Sequence, residues 1–380
     1  MKTARFVTVL LAVTACAGGI VMAVAEPEQQ AGSWPASKQG WSNITKCIPG
    51  KNDCRVETEP AVDASTPPLD GNYHPCAFAG LLTKPLVLLS AVTTSPIDDV
   101  PRSAQINTSL GCGPDGTAGV LPIATPKCTI TATRTSQVNT ANAGDTVCFS
   151  GDNLAGSRLL ITTSGTPEAP IVVTGDGGTV VKGIRVNADN VIVQGFNVLD
   201  ASAPGVQLKG NNLTLQDTYI DHPTGGDYDG IRYFGDGIKI LHNRVTNITN
   251  TGGAHADCMQ TFATTTPTSH SVLISGNRCE KIDNQCLIAQ GPNSKAGNGS
   301  RRGESSGLTF TNNYCDAHAS QAVQIDDTQN VTITNNDIQG KVSKAFNIVN
   351  DSTGANVGCN TIGTGVRTAM IMDTSSRSGE

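Results

Sequence analysis

A short phrase written five times constrains this chain more than any other feature. It reads Ile240-Leu-His-Asn243, Ile274-Ser-Gly-Asn277, Phe310-Thr-Asn-Asn313, Ile333-Thr-Asn-Asn336 and Val357-Gly-Cys-Asn360. Each copy ends a short alternating strand such as Val331-Thr-Ile333 or Leu308-Thr-Phe310. A repeat unit of this size cannot bury its own apolar face, so neighbouring copies must stack. The abundance of Gly, Asn and Thr, with few aromatics, suits short strands and tight turns rather than helices.

Three columns of strands align along residues 136–380. The first holds Val191–Val193, Leu213–Leu215, Ile238–Ile240, Val272–Ile274, Leu308–Phe310 and Val331–Ile333, with outer residues turned inward. The second follows the asparagine turn and points Val198, Ile220, Val245, Cys279, Cys315, Ile338 and Ile362 inward. The third places Val206, Ile231, Met259, Leu287, Val323 and Phe346 inside. Turns of roughly 22 to 36 residues give about eight coils, a size usual for stacked repeats.

The chain resembles the right-handed parallel β-helix of the pectate-lyase-like superfamily over about residues 140–375, as a secreted bacterial protein of that type. The stack Asn243, Asn277, Asn313, Asn336 and Asn360 is similar to that superfamily's asparagine ladder. Stacked amides satisfy one another at strand spacing. Phe196 and Thr218 occupy the same place upstream, so the ladder is expected to start at Asn243. The fold class implied is all-β, a right-handed parallel β-helix with a loop-rich, disulfide-containing N-terminal segment.

Lys2, Arg5, the apolar run from Phe6 to Ala23 and Ala23-Val-Ala25 read as a secretory signal peptide spanning 1–25. Val13-Thr-Ala-Cys16 offers lipoprotein processing as the alternative, giving a surface-anchored form. Residues 26–135 lack a period and carry Cys47, Cys54, Cys76, Cys112 and Cys128, which suggests a stapled cap or linker. A net charge of −6 at low charge density argues against nucleic acid. A secreted, extracellular monomer is expected. Twelve cysteines in an exported chain indicate disulfides, and losing Cys16 leaves an odd number. Cys279 with Cys315 and Cys258 with Cys286 sit at equivalent places on successive coils, the second pair turned outward. Stacked strands lie about 4.8 Å apart, compatible with such staples. Buried thiols are the alternative for the first pair.

The outward face of the third column carries the chemistry. One stripe reads Gln207, Arg232, Gln260, Ile288, Gln324 and Asn347; the next reads Lys209, Phe234, Phe262, Gln290, Asp326 and Val349. Asp229, His255 and Asp257 come just before these strands. A single polar residue here is ordinarily a solvated face, but the set together suits an extended polysaccharide. The candidate catalytic residues are Asp229, Arg232, His255, Asp257 and Gln260, expected on one exposed wall. The candidate substrate-binding residues are Phe234, Phe262, Gln324, Asp326, Asn347, Arg301 and Arg302. In β-elimination from a uronic-acid polymer, Arg232 or Gln260 neutralises the carboxylate and His255 takes the proton. Ca2+ held by Asp229 and Asp257 is an alternative to the guanidinium, with no cofactor otherwise expected. In hydrolysis, Asp229 and Asp257 at about 5 Å, or Asp257 with Asp326 or Asp327, flank the bond. The Gly-His-Gly and Arg-x-Lys phrases of pectin hydrolases are absent. Analogy with β-helix enzymes of this size leans to a lyase. A non-catalytic glycan-binding or cell-surface protein is the competing reading. The insertion from Gly291 to Gly307, with Lys295, Arg301 and Arg302, reads as a wall or lid over the floor, or as a mobile loop.

Overall fold

A computed structural model describes residues 127–377 apart from 152, 153 and 226, together with 114, 118–124 and the backbone of strands Asn43–Cys47, Cys54–Thr58 and Tyr73–His74. The expected signal peptide, the alternative lipoprotein site and most of the expected 26–135 segment lie outside the described residues.

Parallel strands wind into a β-solenoid whose third column is a nine-stranded sheet. Its strands run Leu159–Ile161, Ile184–Asn187, Val206–Lys209, Ile231–Phe234, Met259–Phe262, Leu287–Gln290, Gln321–Asp326, Val342–Val349 and Val366–Met372. There are thus nine rungs here rather than the expected eight coils: the sheet runs past the six aligned third-column strands to Leu159–Ile161 and Ile184–Asn187 at one end and Val366–Met372 at the other. Parallel pairing already begins with Ile130–Thr131 beside Val147–Cys148, ahead of residue 136. The Cys128–Cys148 disulfide fastens that first rung. Residues 118–124 run along the outside of the turn between the first two columns. There Gly119 N donates to Gly276 O at 2.7 Å and Leu121 N to Asp217 Oδ1 at 3.1 Å.

The asparagine turn is built by two adjacent residues. The first takes left-handed backbone: Asp217, His242, Gly276, Asn312, Asn335 and Cys359 all have φ between 47° and 68°. Gly, Asn and Asp tolerate this conformation best, which explains the repeated Asn-Asn. The second is the ladder residue. Asn277 Nδ2 donates to Asn313 Oδ1 at 3.0 Å and to Ile240 O at 2.8 Å. Its own Oδ1 accepts from the backbone N and Nδ2 of Asn243 at 2.9 and 3.0 Å. The pattern continues to Asn360, and it starts as expected: Thr218 N donates to Asn243 Oδ1 at 3.1 Å.

Two disulfides correct the expected pairing. Cys258 bonds Cys279 and Cys286 bonds Cys315, each crossing the interior within one turn rather than linking successive turns. Cys258 and Cys286 are buried, not outward. Strand alternation fails at this corner because the chain bends there, so two consecutive residues face inward. The corner row reads Gly205, Gly230, Cys258, Cys286, Ala322 and Ala345, all small and buried. A Cβ on Gly205 would lie 2.8 Å from Ile220 Cγ2, and one on Gly230 would lie 2.5 Å from Val245 Cγ1. The second column therefore presses against this row. Where its inward residue shrinks to Cys279 and Cys315, a disulfide takes the place of the glycine–aliphatic contact.

Candidate active site on the outward face

The register of the nine-stranded sheet fixes the floor. Gln207 pairs with Arg232, Arg232 with Gln260, Gln260 with Ile288, Ile288 with Gln324 and Gln324 with Asn347. The row extends further than expected, to Arg185 and Leu160 at one end and Ile371 at the other. The second stripe also holds, with Phe262 beside Gln290 and Gln290 beside Asp326.

Arg232 is the centre of the polar cluster. Its Nε donates to Asp229 Oδ2 at 2.6 Å and its Nη2 to Asp227 Oδ2 at 2.7 Å. Two carboxylates thus fix the plane of the guanidinium while Nη1 bonds neither. Both neighbours raise the arginine's pKa against the opposing effect of burial, so its charge is permanent. The guanidinium also lies over the Phe262 ring, 5.7 Å from its centroid. Phe262 in turn meets Phe234 edge-on at 4.9 Å. Phe234 is only 1% exposed, so it supports Phe262 rather than offering the second exposed stacking surface expected of it. Ile288 is also buried.

Asp229 and Asp257 are drawn together with Arg232 and His255, yet they do not share the exposed wall. Both carboxylates have no solvent exposure. Each spends one oxygen on the next turn: Asp229 Oδ1 accepts Asp257 N at 2.9 Å, and Asp257 Oδ1 accepts Gln285 N at 3.0 Å. Gln285 Oε1 then accepts from Gln321 Nε2 at 3.2 Å. A carboxylate–amide ladder therefore edges the floor. The corner bend, invisible to strand parity, turns these side chains under the surface. The second oxygens meet cations. His255 Nδ1 stands 3.0 Å from Asp257 Oδ2, at ion-pair distance but off hydrogen-bond alignment, so Oδ2 keeps no hydrogen bond.

The electrostatics follow from this geometry. Burial pushes Asp229 up to about 7, with Arg232 pulling the other way and Asp257 adding to the rise. Asp257 lifts His255 to about 9 against its partial burial, helped by Asp229 and Asp227. At neutral pH the imidazole is cationic, and it turns into a base only in alkaline solution. Its side chain keeps 39% of its surface exposed, and that of Arg232 keeps 17%. Asp227, bonded to Arg232, is also partly open, so these three groups of the cluster meet solvent while Asp229 and Asp257 do not.

Calcium does not fit the expected pair. The ion wants about six to eight oxygen ligands, whereas the oxygens of Asp229 accept N–H bonds and Asp257 faces an imidazole. Among the described residues, no group of three or more His, Cys, Asp or Glu is placed to hold a metal.

The remaining expected binding residues divide. Gln324 Oε1 accepts from Asn347 Nδ2 at 2.6 Å, so these floor amides satisfy each other. Asp326 lies at the floor's edge, accepts from Asn350 Nδ2 at 2.9 Å, and has its pKa raised by burial. Arg302 leaves the floor altogether. Its Nη1 donates to Asp327 Oδ1 at 2.7 Å and to Asn350 O at 2.8 Å, and it lies 3.1 Å from Asp351. Asn293 N also reaches Asp327, at 2.6 Å, and Thr264 N reaches Ala296 O at 3.2 Å. Residues 291–307 are therefore a fastened wall. Arg301 stays exposed on it. Asp227 escaped sequence reasoning because it sits in an irregular glycine-rich turn with no period. Its only signal is an acid five residues before an arginine on a strand.

A family model for the right handed beta helix region matches residues 182–362. The resemblance read from the asparagine repeat stands, and the fold is the right-handed parallel β-helix. No curated protein matches the sequence. Three similar solved structures are polysaccharide lyases. Alginate lyase from Paenibacillus sp. str. FPU-7 shares 16% identity, covering 64% of this chain and 97% of that one, with a TM-score of 0.42. A mannuronic acid specific polysaccharide family 6 lyase from human gut microbiota shares 12%, covering 59% and 61%, at 0.42. Pectate lyase Pel9A shares 14%, covering 61% and 72%, at 0.35.

Proposed function

We propose that this right-handed parallel β-helix protein is an exported enzyme that binds an extended, uronic-acid-containing polysaccharide along the outward face of its nine-stranded sheet and cleaves it by β-elimination. The observation that carries this reading is a pair of cations on successive turns, Arg232 and His255, standing over the carboxylates of Asp229 and Asp257 that are sealed beneath them. Arg232 Nη1 takes the substrate carboxylate. Neutralising that charge acidifies the adjacent C–H bond. Neutral His255 removes the proton through Nε2, its Nδ1 being turned to Asp257. The C–H electron pair forms the new C=C bond, the neighbouring C–O bond breaks, and the departing alkoxide takes a proton from solvent.

Hydrolysis is less well supported. It asks for two carboxyl groups open to the glycosidic bond, and Asp229 and Asp257 are closed off, each with an oxygen committed to the backbone of the next turn. A histidine near 9 is a strong base once deprotonated, which suits abstraction from carbon.

The test is a polyuronate and neutral-glycan panel read by ultraviolet absorbance of an unsaturated product and by reducing ends, from pH 6 to 10. Both signals together, rising with pH through about 9, are expected. His255→Gln should lower kcat by roughly a hundred- to ten-thousand-fold and leave substrate affinity nearly intact. Reducing ends alone would mean hydrolysis. Tight binding without turnover would mean a glycan-binding protein.

A further inference from the structure

The carboxylate–amide ladder does two jobs at once, and the division falls between the two oxygens of a single residue. Asp257 Oδ1 accepts the Gln285 N–H of the next turn at 3.0 Å. Asp257 Oδ2 is fully buried, has no hydrogen bond, and lies 3.0 Å from His255 Nδ1. Asp229, one turn earlier, repeats the division: Oδ1 goes to Asp257 N and Oδ2 to Arg232 Nε. An uncompensated buried carboxylate oxygen is costly, and a positive ring or an N–H held at ion-pair distance offsets part of that cost.

We infer that Asp257 is a positioning residue: one oxygen caps the following turn, and the other holds His255 with its proton on Nδ1 and its Nε2 turned to the floor. This rests on the reading of His255 as the base and adds to it how that base is prepared. Second partners of this kind set which imidazole nitrogen carries the proton. Asp257 does not touch substrate on this account, since its carboxylate has no exposure. The charged groups facing His255 are Asp257, Asp229 and Asp227, with Arg232 tied to the last two.

The test reads His255 in the substrate-free full-length protein, so a silent polysaccharide panel does not decide it. Nuclear magnetic resonance of labelled histidine, with His255 assigned by its loss in His255→Gln, gives the titration midpoint and the neutral tautomer. A midpoint near 9 is expected, with the proton on Nδ1 above it. Asp257→Asn keeps an acceptor for Gln285 N–H, so it should fold. Its midpoint should fall by roughly one unit or more, Asp229 and Asp227 still acting on the ring, and Asp257→Glu should restore part of the shift. Asp257→Ala should lose the cap as well and melt below Asp257→Asn. An unchanged midpoint in Asp257→Asn overturns the inference. So does a wild-type neutral ring protonated on Nε2, a result that needs no variant to fold.

Discussion

Asp229 depends on a single guanidinium. Its carboxylate is wholly buried, and Arg232 is the cation that reaches it. Removing one member of a buried pair leaves the other stranded, at a cost of about 3–5 kcal/mol. Arg232→Met should therefore destabilise the fold by about that much in urea unfolding at pH 9. The loss should be smaller at pH 5, where a carboxyl already lifted to about 7 takes up a proton and sheds its charge. Equal losses at both values would mean that the ion pair holds nothing together. Asp227 should behave otherwise, because its side chain is partly exposed: its replacement releases Arg232 without stranding a buried charge.

At the scale of the elements, the asparagine turn carries most of the specification. Asn277→Ala removes acceptors for two N–H groups of Asn243 and two donors to Ile240 and Asn313. Each stranded buried partner costs about 1–3 kcal/mol, partly recovered by relaxation, so a total loss of about 2–4 kcal/mol is expected by chemical denaturation. Asn360→Ala should cost somewhat less, because Asn360 serves Asn336 and Ile333 in the same way but is 7% exposed where Asn277 is wholly buried. This much was legible beforehand, because a repeated phrase carries its own register: once Ile240, Ile274, Phe310 and Ile333 are stacked, Gln207, Arg232, Gln260, Gln324 and Asn347 fall into one row. Cys258, Asp229 and Asp257 were placed wrongly on the outside for one shared reason. They sit at a bend, where alternation of faces does not apply, and only the crowding of Gly205 and Gly230 against Ile220 and Val245 hints at it. Asp227, with neither period nor rung, left no mark to read.

For the molecule as a whole, the two strongly shifted groups that titrate between pH 5 and pH 9, His255 and Asp229, push stability in the same direction. His255 is raised from 6.5 to about 9, so its contribution is complete below about 6.5 and disappears as pH rises through 9. Asp229, an acid raised to about 7, binds a proton in the native protein that the unfolded chain has already released above 3.8, so its effect also favours the lower pH. The urea midpoint should accordingly fall between pH 5 and pH 9. A midpoint that climbs over this interval would show that other groups dominate. The interior cystines should not affect this trend, since Cys258–Cys279 and Cys286–Cys315 carry no titrating thiol.

The small corner row has a consequence for how such a chain can change. Gly205 faces Ile220 and Gly230 faces Val245 in the same relation that Cys258 bears to Cys279 and Cys286 to Cys315. Each rung is therefore a place where a covalent rivet and a greasy contact are interchangeable. A lineage, or an engineer, can lengthen or shorten the riveted stretch two substitutions at a time while the polar floor overhead keeps its spacing.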